Sequence, residues 1–338
     1  MASNRASEAS ATSAERADPD MRMVLQALQT MGGKPIETLS AQEAREQPTP
    51  ADAAMQVMRQ RGITQPPLDI ANVEDRTISG DAGPIPIRIY TPDGNGPFPV
   101  VVYYHGGGWV IADLDTYDAS ARALAHHANA IVVSAHYRQG PEHKFPAAHE
   151  DAFKAYQWAV ANAQALGGDP SRIAVVGESA GGNLAMNVAM QARNTGTTQP
   201  VHEVLVYPVA GTDVNTASYQ ENANAKPLNK PMMEWFFRQY LNGPGDFADP
   251  RINLIAADLK GLPPTTIIGA EIDPLRSEGV TLAQRLEAAG VPVTYQLYDG
   301  VTHEFFGMGA VVDDALDAEE LAGMQLQRAF GTVDARTD

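Results

Sequence analysis

The 338-residue chain contains no cysteine and has few basic side chains. The lack of cysteine excludes disulfides, thiolate metal sites and a cysteine nucleophile. With 24 Lys and Arg against 41 Asp and Glu, the formal net charge is −17 at pH 7, which disfavours binding to nucleic-acid phosphates and anionic lipids. The longest apolar runs, such as residues 100–104, are far shorter than the roughly 20 residues of a membrane-spanning helix. We therefore predict neither nucleic-acid nor membrane binding.

The composition, 44% hydrophobic and 19% charged residues, is that of a globular protein with a large core. The first 20 residues lack the apolar stretch of a secretory signal, so we expect a cytoplasmic protein with a loosely docked N-terminal arm. Asp18 and Thr49 each precede a proline, a combination typical of the start of a helix. Apolar residues then recur at helical spacing up to Gly32 and Gly62, which predicts two amphipathic helices before any strand.

From about residue 76 the pattern changes to strands. Alternating isoleucines at 85, 87 and 89 predict an antiparallel or edge strand with one buried face. Short β-branched runs predict strands buried on both faces at residues 100–104, 130–134, 173–176, 204–209, 266–270 and 293–298. Segments with helical composition and termination signals lie between strands at residues 147–166, 179–193 and 274–289. This alternation predicts an α/β fold with a mostly parallel central sheet flanked by helices.

One segment departs from the alternation. Residues 209–262 contain a polar loop followed by a helix-like run of large apolar side chains. We interpret them as an insertion that, with the N-terminal helices, forms a helical cap over the sheet edge where open α/β folds bind ligands. The predicted organisation is an N-terminal arm with cap helices (1–75), a first core part (76–208), the cap insertion (209–262) and a second core part (263–338).

A candidate nucleophile lies in the motif GESAG at residues 177–181, between a predicted strand and a predicted helix. A serine at such an elbow has a strained backbone, and small neighbours let the chain turn tightly while the hydroxyl faces a cleft. The same string also occurs in glycine-rich turns with a surface serine, so the interpretation depends on its context. We predict that Ser179 is the nucleophile.

A second motif, HGGGW at residues 105–109, follows another predicted strand. Consecutive glycines expose backbone N–H groups, as an oxyanion hole requires, and ordering them costs entropy that a plain turn would not repay. We predict Gly107 and Gly108 as oxyanion donors, together with Ala180 after the candidate nucleophile. His105 is interpreted as a structural residue that shapes the loop.

A serine nucleophile needs a base and an acid that orients the base. In hydrolases with this strand–elbow–helix arrangement, the acid follows the serine and the histidine comes last. Asp273 and His303 each follow a predicted strand and satisfy that order. Glu271 and Asp299 are alternatives to Asp273, which we favour because it heads a strand-to-helix loop. No histidine pair has the spacing of a helical zinc site, so we predict neither a metal nor a cofactor.

Together these motifs resemble the hormone-sensitive-lipase-like carboxylesterases, a bacterial family of the α/β-hydrolase superfamily, over about residues 84–306. Further matching strings are Tyr137-Arg138, Pro141-Glu142-His143, Phe145-Pro146-Ala147-Ala148, Gly261-Leu262-Pro263-Pro264 and Asp273-Pro274-Leu275-Arg276. The resemblance implies an α/β-hydrolase fold with a cap and a Ser179, Asp273 and His303 triad. It further implies hydrolysis of small carboxylic esters through an acyl-enzyme, and it allows for a homodimer.

Large apolar side chains predict a bounded substrate pocket suited to short- or medium-chain acyl groups, although plain cap packing would use the same residue types. The candidates for this pocket are Trp109, Met232, Met233, Trp235 and Phe236, with Phe237 in the same cluster.

The chain departs from the family pattern at four places near these motifs, one of which is Gln139-Gly140 where the family usually has an apolar pair. Glu178 precedes the serine where the family has Asp or Thr, His136 replaces a common aspartate, and Glu304 follows the histidine where glycine is frequent. No departure removes a reacting group. The two glutamates are positioned to change the field around the triad or the shape of the pocket.

Two other classes of function remain alternatives. A peptidase or amidase on the same fold would have to protonate an amine leaving group, and a non-catalytic small-molecule receptor would keep the scaffold without the chemistry. All three candidate triad residues are present, which favours an enzyme.

Overall fold

The computed structural model describes residues 12–64, 68 and 70–332. Its strands form one eight-stranded sheet of order β1-β2-β4-β3-β5-β6-β7-β8. They are β1 (Asn72–Gly80), β2 (Gly83–Thr91), β3 (Phe98–Tyr104), β4 (Ile131–Ala135), β5 (Gly168–Glu178), β6 (Glu203–Val206), β7 (Thr265–Ile272) and β8 (Val293–Thr302). The pairs β1–β2 and β2–β4 are antiparallel and the others are parallel. The predicted mostly parallel sheet is thus confirmed.

Helices cover both faces of this sheet. They are α1 (Ser13–Arg16), α2 (Pro19–Thr30), α3 (Ala41–Arg45), α4 (Pro50–Gln60), α5 (Asp118–Ala128), α6 (Ala147–Asn162), α7 (Ala180–Thr195), α8 (Ala217–Glu221), α9 (Lys230–Tyr240), α10 (Arg276–Ala288) and α11 (Asp313–Phe330). Because successive side chains of a strand face opposite sides, Val102 of β3 packs in one core with α6 and α7, whereas Val101 packs in a second core with α5 and α11. The predicted α/β architecture follows from this two-sided burial.

The structure differs from the sequence predictions at several elements. Helices α5 and α11 have no predicted counterpart, and the residues that precede them, Tyr117 and Val312, supply no capping side chain that would mark a helix start. Strand β1 is largely exposed and buries only Ile78, as an edge strand does. Strand β8 continues to Thr302, so His303 directly follows the strand instead of lying five residues beyond it.

The N-terminal segment contacts the 209–262 insertion. In α1, the Arg16 guanidinium donates to Asn222 Oδ1 at 2.8 Å and pairs with Glu221 at 2.9 Å. The predicted N-terminal arm falls partly on residues 1–11, which lie outside the described residues. In the part of the chain that the structure describes, no helix combines the length and apolar character needed to cross a membrane.

Candidate active site

Ser179 lies at the sharp turn between β5 and α7. Its backbone has φ 55° and ψ −118°, an unfavourable region for a non-glycine residue, and its N–H donates to Val206 O at 2.9 Å. The turn is tight because α7 approaches the end of β3: a Cβ on Gly181 would lie 1.9 Å from Tyr104 O. This geometry explains why the motif requires small residues around the serine.

The structure brings the three predicted triad side chains together. Ser179 Oγ lies 3.0 Å from His303 Nε2, and His303 Nδ1 lies 2.7 Å from Asp273 Oδ2. All three residues are buried. With Nδ1 protonated and donating to Asp273, Nε2 accepts the Ser179 hydroxyl, as general-base activation requires.

Asp273 is itself held in place at the end of β7. Its Oδ1 accepts the Leu275 N–H at 2.8 Å, while Oδ2 faces His303. Of the two alternative acids, Glu271 accepts the Gly300 N–H at 2.8 Å, and Asp299 makes no hydrogen bond to the His303 ring within the described part of the chain. Asp273 is therefore the carboxylate that is hydrogen-bonded to the imidazole.

The environment of His303 favours its protonated form. Burial acts to lower the pKa of His303, but the charge and hydrogen bond of Asp273 outweigh burial, with further contributions from Glu304 and Glu178, and the net pKa is raised. The Tyr207 ring lies against the imidazole, with ring centroids 4.4 Å apart. The site is thus arranged to stabilise an imidazolium.

The HGGGW loop leaves β3 next to the elbow. Gly107 and Gly108 have φ values of 91° and 59°, in the left-handed region that favours glycine. The N–H groups of Gly107, Gly108 and Ala180 donate to no acceptor within residues 12–64, 68 and 70–332. Three backbone donors close to the nucleophile are therefore available to a ligand.

His105 supports this loop through hydrogen bonds, in the structural role expected for it. Its Nδ1 lies 2.9 Å from Gly106 O and its Nε2 lies 3.0 Å from His136 Nδ1. Because Nδ1 must donate to a carbonyl, Nε2 accepts from His136. Burial, with the neighbouring His136, lowers the pKa of His105 to about 3. The Tyr137 hydroxyl also donates to His105 O at 2.8 Å, so the loop rests on neutral rings.

Glu178 lies beneath the nucleophile in a polar cluster. The hydroxyls of Tyr103 and Tyr207 donate to its two carboxylate oxygens at 2.5 and 2.6 Å. Burial, followed by the charge of Glu304, raises the pKa of Glu178 to about 8, although these hydroxyls act in the opposite direction. The sequence marked Glu178 as a departure from the family pattern but gave no sign of its tyrosine partners.

Glu304 lies beside the triad with a partner that the sequence did not indicate. The Tyr117 hydroxyl contacts Glu304 Oε1 at 2.8 Å and Oε2 at 2.6 Å. Glu304 Oε1 is 3.7 Å from His303 Nε2. Tyr117 and Glu304 are 187 positions apart in the chain, so no local pattern connects them.

The predicted pocket residues occupy different positions. Phe236 of α9 lies against the HGGGW loop, since a Cβ on Gly108 would come within 2.2 Å of its ring. Trp109 is fully buried and stacks on Tyr240 with centroids 5.0 Å apart. The buried Trp235 donates its indole N–H to Leu39 O at 3.1 Å. Met233 is buried and Met232 only partly so.

A separate open pocket of about 400 Å³ lies among Arg45, His136, Arg138 and Glu142 and includes none of the triad residues. We do not assign the reaction to it, because it contains no candidate nucleophile. Among residues 12–64, 68 and 70–332, no group of three or more His, Asp and Glu side chains could hold a metal ion.

Comparisons with known proteins agree with this geometry. Residues 101–307 match the family model for the alpha/beta hydrolase fold. The chain is 42% identical over 281 residues to carboxylesterase NlhH of Mycobacterium tuberculosis, covering 80% of this chain and 88% of that protein. It is 35% identical over 307 residues to ethyl acetate hydrolase of Pseudomonas putida, covering 88% and 94%.

A solved structure has a similar fold over most of the chain. A hyperthermophilic esterase from the archaeon Pyrobaculum calidifontis superposes with a TM-score of 0.85 and 37% identity, covering 93% of this chain and 98% of that one. The family match, these identities and the shared fold agree with the motifs found in the sequence. The chain therefore belongs to the α/β-hydrolase family, in its hormone-sensitive-lipase-like group of carboxylesterases.

Proposed function

We propose that this chain hydrolyses small carboxylic esters through a serine acyl-enzyme. The observation that carries the proposal is the continuous hydrogen-bonded path from Ser179 through His303 to Asp273. The names of its relatives, which include a carboxylesterase and an ethyl acetate hydrolase, support an ester as the substrate class.

In the acylation half-reaction, Ser179 Oγ bonds to the ester carbonyl carbon while its proton passes to His303 Nε2. Asp273 orients the imidazole and stabilises its positive form. The tetrahedral intermediate then collapses: the bond from carbon to the alcohol oxygen breaks, and His303 returns the proton to that oxygen. In deacylation a water gives a proton to His303 and bonds to the acyl carbon. The Oγ–C bond then breaks, Ser179 regains the proton, and the acid leaves.

The oxyanion of each tetrahedral intermediate is assigned to the N–H groups of Gly107, Gly108 and Ala180. Their lack of protein acceptors in the described part of the chain supports this role. Donors fixed before the reaction stabilise developing charge without reorganisation, and losing one such donor costs about 10² to 10³ in turnover.

We assign the cap to residues 1–75 and 209–262. The contact of Phe236 with the oxyanion loop and the hydrogen bond from Trp235 to Leu39 support a cap that closes over the site and joins both segments. Large rings at this position favour short- to medium-chain acyl groups over long ones. A homodimer remains a prediction.

The test is labelling with a fluorophosphonate, followed by peptide mapping and ester kinetics. We expect the label on Ser179, and we expect Ser179→Ala to lower kcat for a p-nitrophenyl ester by several orders of magnitude while leaving the fold intact. A label on another serine, or undiminished turnover by Ser179→Ala, would show that the assignment is wrong.

Matched substrates separate this function from its alternatives. An ester and the amide of the same acid and similar leaving-group size are compared on the parent protein. Faster hydrolysis of the amide would favour a peptidase or amidase. Ester binding without turnover would favour a receptor. A series from acetyl to octanoyl and longer esters tests the acyl-chain preference.

A further inference from the structure

The imidazole of His303 has a carboxylate at each of its two nitrogens. Asp273 Oδ2 lies 2.7 Å from Nδ1. On the other side, Glu304 Oε1 lies 3.7 Å from Nε2, the nitrogen that faces Ser179 Oγ at 3.0 Å. A separation of 3.7 Å is too long for a hydrogen bond but well within the range of a charge interaction. The carboxylate of Glu304 thus lies beside Nε2, the nitrogen that would accept the Ser179 proton and later release it.

Glu304 has a backbone conformation that is unfavourable for a residue with a side chain. Its φ is 69°, in the left-handed region that suits glycine. Tyr117 donates its hydroxyl to the carboxylate, with 2.8 and 2.6 Å to the two oxygens, and so fixes the carboxylate toward His303. The side chain is 21% exposed, compared with 1% for Asp273. Glycine would meet the backbone requirement alone, so the glutamate adds a charged group at the expense of strain.

Other groups around His303 do not duplicate this charge. Tyr207 packs its ring on the imidazole and donates its hydroxyl to Glu178. Glu178 makes no hydrogen bond to the imidazole among the described residues, and burial raises its pKa to about 8, so its charge, which also favours the imidazolium, is reduced where a histidine titrates. Asp273 and Glu304 are therefore the two carboxylates that lie at the nitrogens of His303. Burial raises the pKa of Glu304 itself, although the charge of His303 and the hydrogen bond from Tyr117 act against that shift.

We propose that Glu304 is a positioning residue that acts through His303, stabilising the imidazolium from the Nε2 side and setting the pH at which activity is lost in acid. This inference rests on the proposed function for the role of His303 as base. Tyr117 is the residue that holds the carboxylate in place.

The sign of the effect follows from the charge. His303 must be neutral to accept the Ser179 proton, and a nearby negative charge keeps it protonated to higher pH. Removing the charge of Glu304 should therefore move the acid limb of kcat/KM to lower pH. We expect a shift of roughly one pH unit, the lower end for an opposite charge at such a distance.

The experiment compares Glu304→Gln, which keeps the side-chain shape, with Glu304→Gly, which suits the positive φ. Glu287→Gln, on the exposed surface of α10, makes the same chemical change away from the site and serves as the control. The pH profile of kcat/KM is measured with a non-ionising p-nitrophenyl ester. Tyr117→Phe should move the midpoint in the same direction as the Glu304 variants.

A second readout does not need turnover: the imidazole proton resonances of His303 are followed by NMR as the pH is changed. We expect the midpoint of this titration to fall in both Glu304 variants and to stay at the parental value in Glu287→Gln. Unshifted midpoints in both Glu304 variants would overturn the inference even if the parent is an efficient esterase. A parent that hydrolyses no ester would instead overturn the proposed function, while the NMR titration would still test the electrostatics.

Discussion

The elbow around Ser179 and helix α9, which we assign to the proposed cap, both pack against the HGGGW loop but do so through different kinds of contact. At the elbow the close neighbours are backbone atoms, as where a Cβ on Gly181 would lie 1.9 Å from Tyr104 O. In α9 the close neighbours are large side chains, and Trp235, Phe236 and Phe237 are all buried. Side chains can change rotamer, whereas two packed backbones cannot separate without moving a helix or a strand. We therefore expect substitutions to have abrupt effects at the elbow and graded effects in the cap.

The largest effect is expected for Gly181→Ala. The added methyl group would overlap the carbonyls of Tyr104 and His105 and push α7 away from the end of β3. We expect a loss of stability of about 4–5 kcal/mol or more, at the exceptional end of single substitutions, and no measurable esterase activity. The loss of stability is measured by denaturant unfolding, with the yield of folded protein and circular dichroism as checks on the fold.

Gly279→Ala is the matched control for that prediction. Gly279 lies within α10, and apart from its chain neighbours and the backbone of its own helix no described atom is within 4 Å of the position where its Cβ would be. Alanine there should stabilise the protein by about 0.5–1 kcal/mol, because glycine is a poor helix former. If Gly181→Ala were as stable as Gly279→Ala, the elbow would be adaptable and the comparison would fail.

An intermediate effect is expected where the two regions touch. A Cβ on Gly108 would lie 2.2 Å from the Phe236 ring, a side chain, whereas a Cβ on Gly107 would lie 2.2 Å from Ile111 O, a backbone atom. We expect Gly108→Ala and Gly107→Ala each to lower kcat/KM by about 10²-fold, because each change would displace a proposed oxyanion donor. Adding Phe236→Ala should restore part of the activity of Gly108→Ala only.

The double variants are compared with Phe236→Ala alone, so that the effect of truncating the ring is counted separately. Equal recovery of both glycine variants would show that the ring, not the type of neighbour, controls the loop. No recovery of Gly108→Ala would mean that its positive φ, and not the contact with the cap, limits activity.

The sequence predicted the sheet and the three triad residues from local patterns. Ser179, Asp273 and His303 each stand directly after a strand, at the edge where a parallel sheet gathers its loops. Such signals are local, since each needs only one strand and the residues that follow it. The strand predicted at 293–298 to be buried on both faces is instead half-exposed, because β8 is the edge strand of the sheet and only its last three residues are buried. The same reasoning missed α5 and α11, because the residues before them, Tyr117 and Val312, provide no capping side chain to mark where a helix starts.

The polar surroundings of the triad could not be predicted in this way. Tyr117 meets Glu304 only because α5 and the loop after β8 are brought together by the fold, and Tyr103 meets Glu178 across 75 positions. A glutamate at a position where the family favours glycine was the one available signal. This signal identified Glu304 as unusual but did not indicate that Tyr117 would be its hydrogen-bond partner.

The smallest expected effect is a difference in stability between two variants, one with a substitution of Trp235 in α9 and the other with a substitution of Trp109 in the HGGGW loop. Trp235 of α9 donates its indole N–H to Leu39 O at 3.1 Å, whereas the buried Trp109 indole N–H of the HGGGW loop has no acceptor among the described residues. Trp235→Phe removes a hydrogen bond worth about 1 kcal/mol. The Trp109 N–H is buried without a partner in the described part of the chain and therefore costs desolvation free energy. Trp109→Phe removes that cost, and this gain offsets part of the stability lost with the smaller ring.

Because both substitutions shorten a buried indole to a benzyl ring, their packing losses are similar and the difference isolates the hydrogen bond. We expect Trp235→Phe to be less stable than Trp109→Phe by about 1–2 kcal/mol, read from urea midpoints at an unchanged slope. The opposite order would mean that packing in the loop dominates and that the Trp235 contact with Leu39 contributes little to holding the cap. Equal stabilities would mean that the hydrogen bond from Trp235 to Leu39 contributes almost nothing to the free energy of unfolding. Side-chain packing would then be the main connection between α9 and the N-terminal segment.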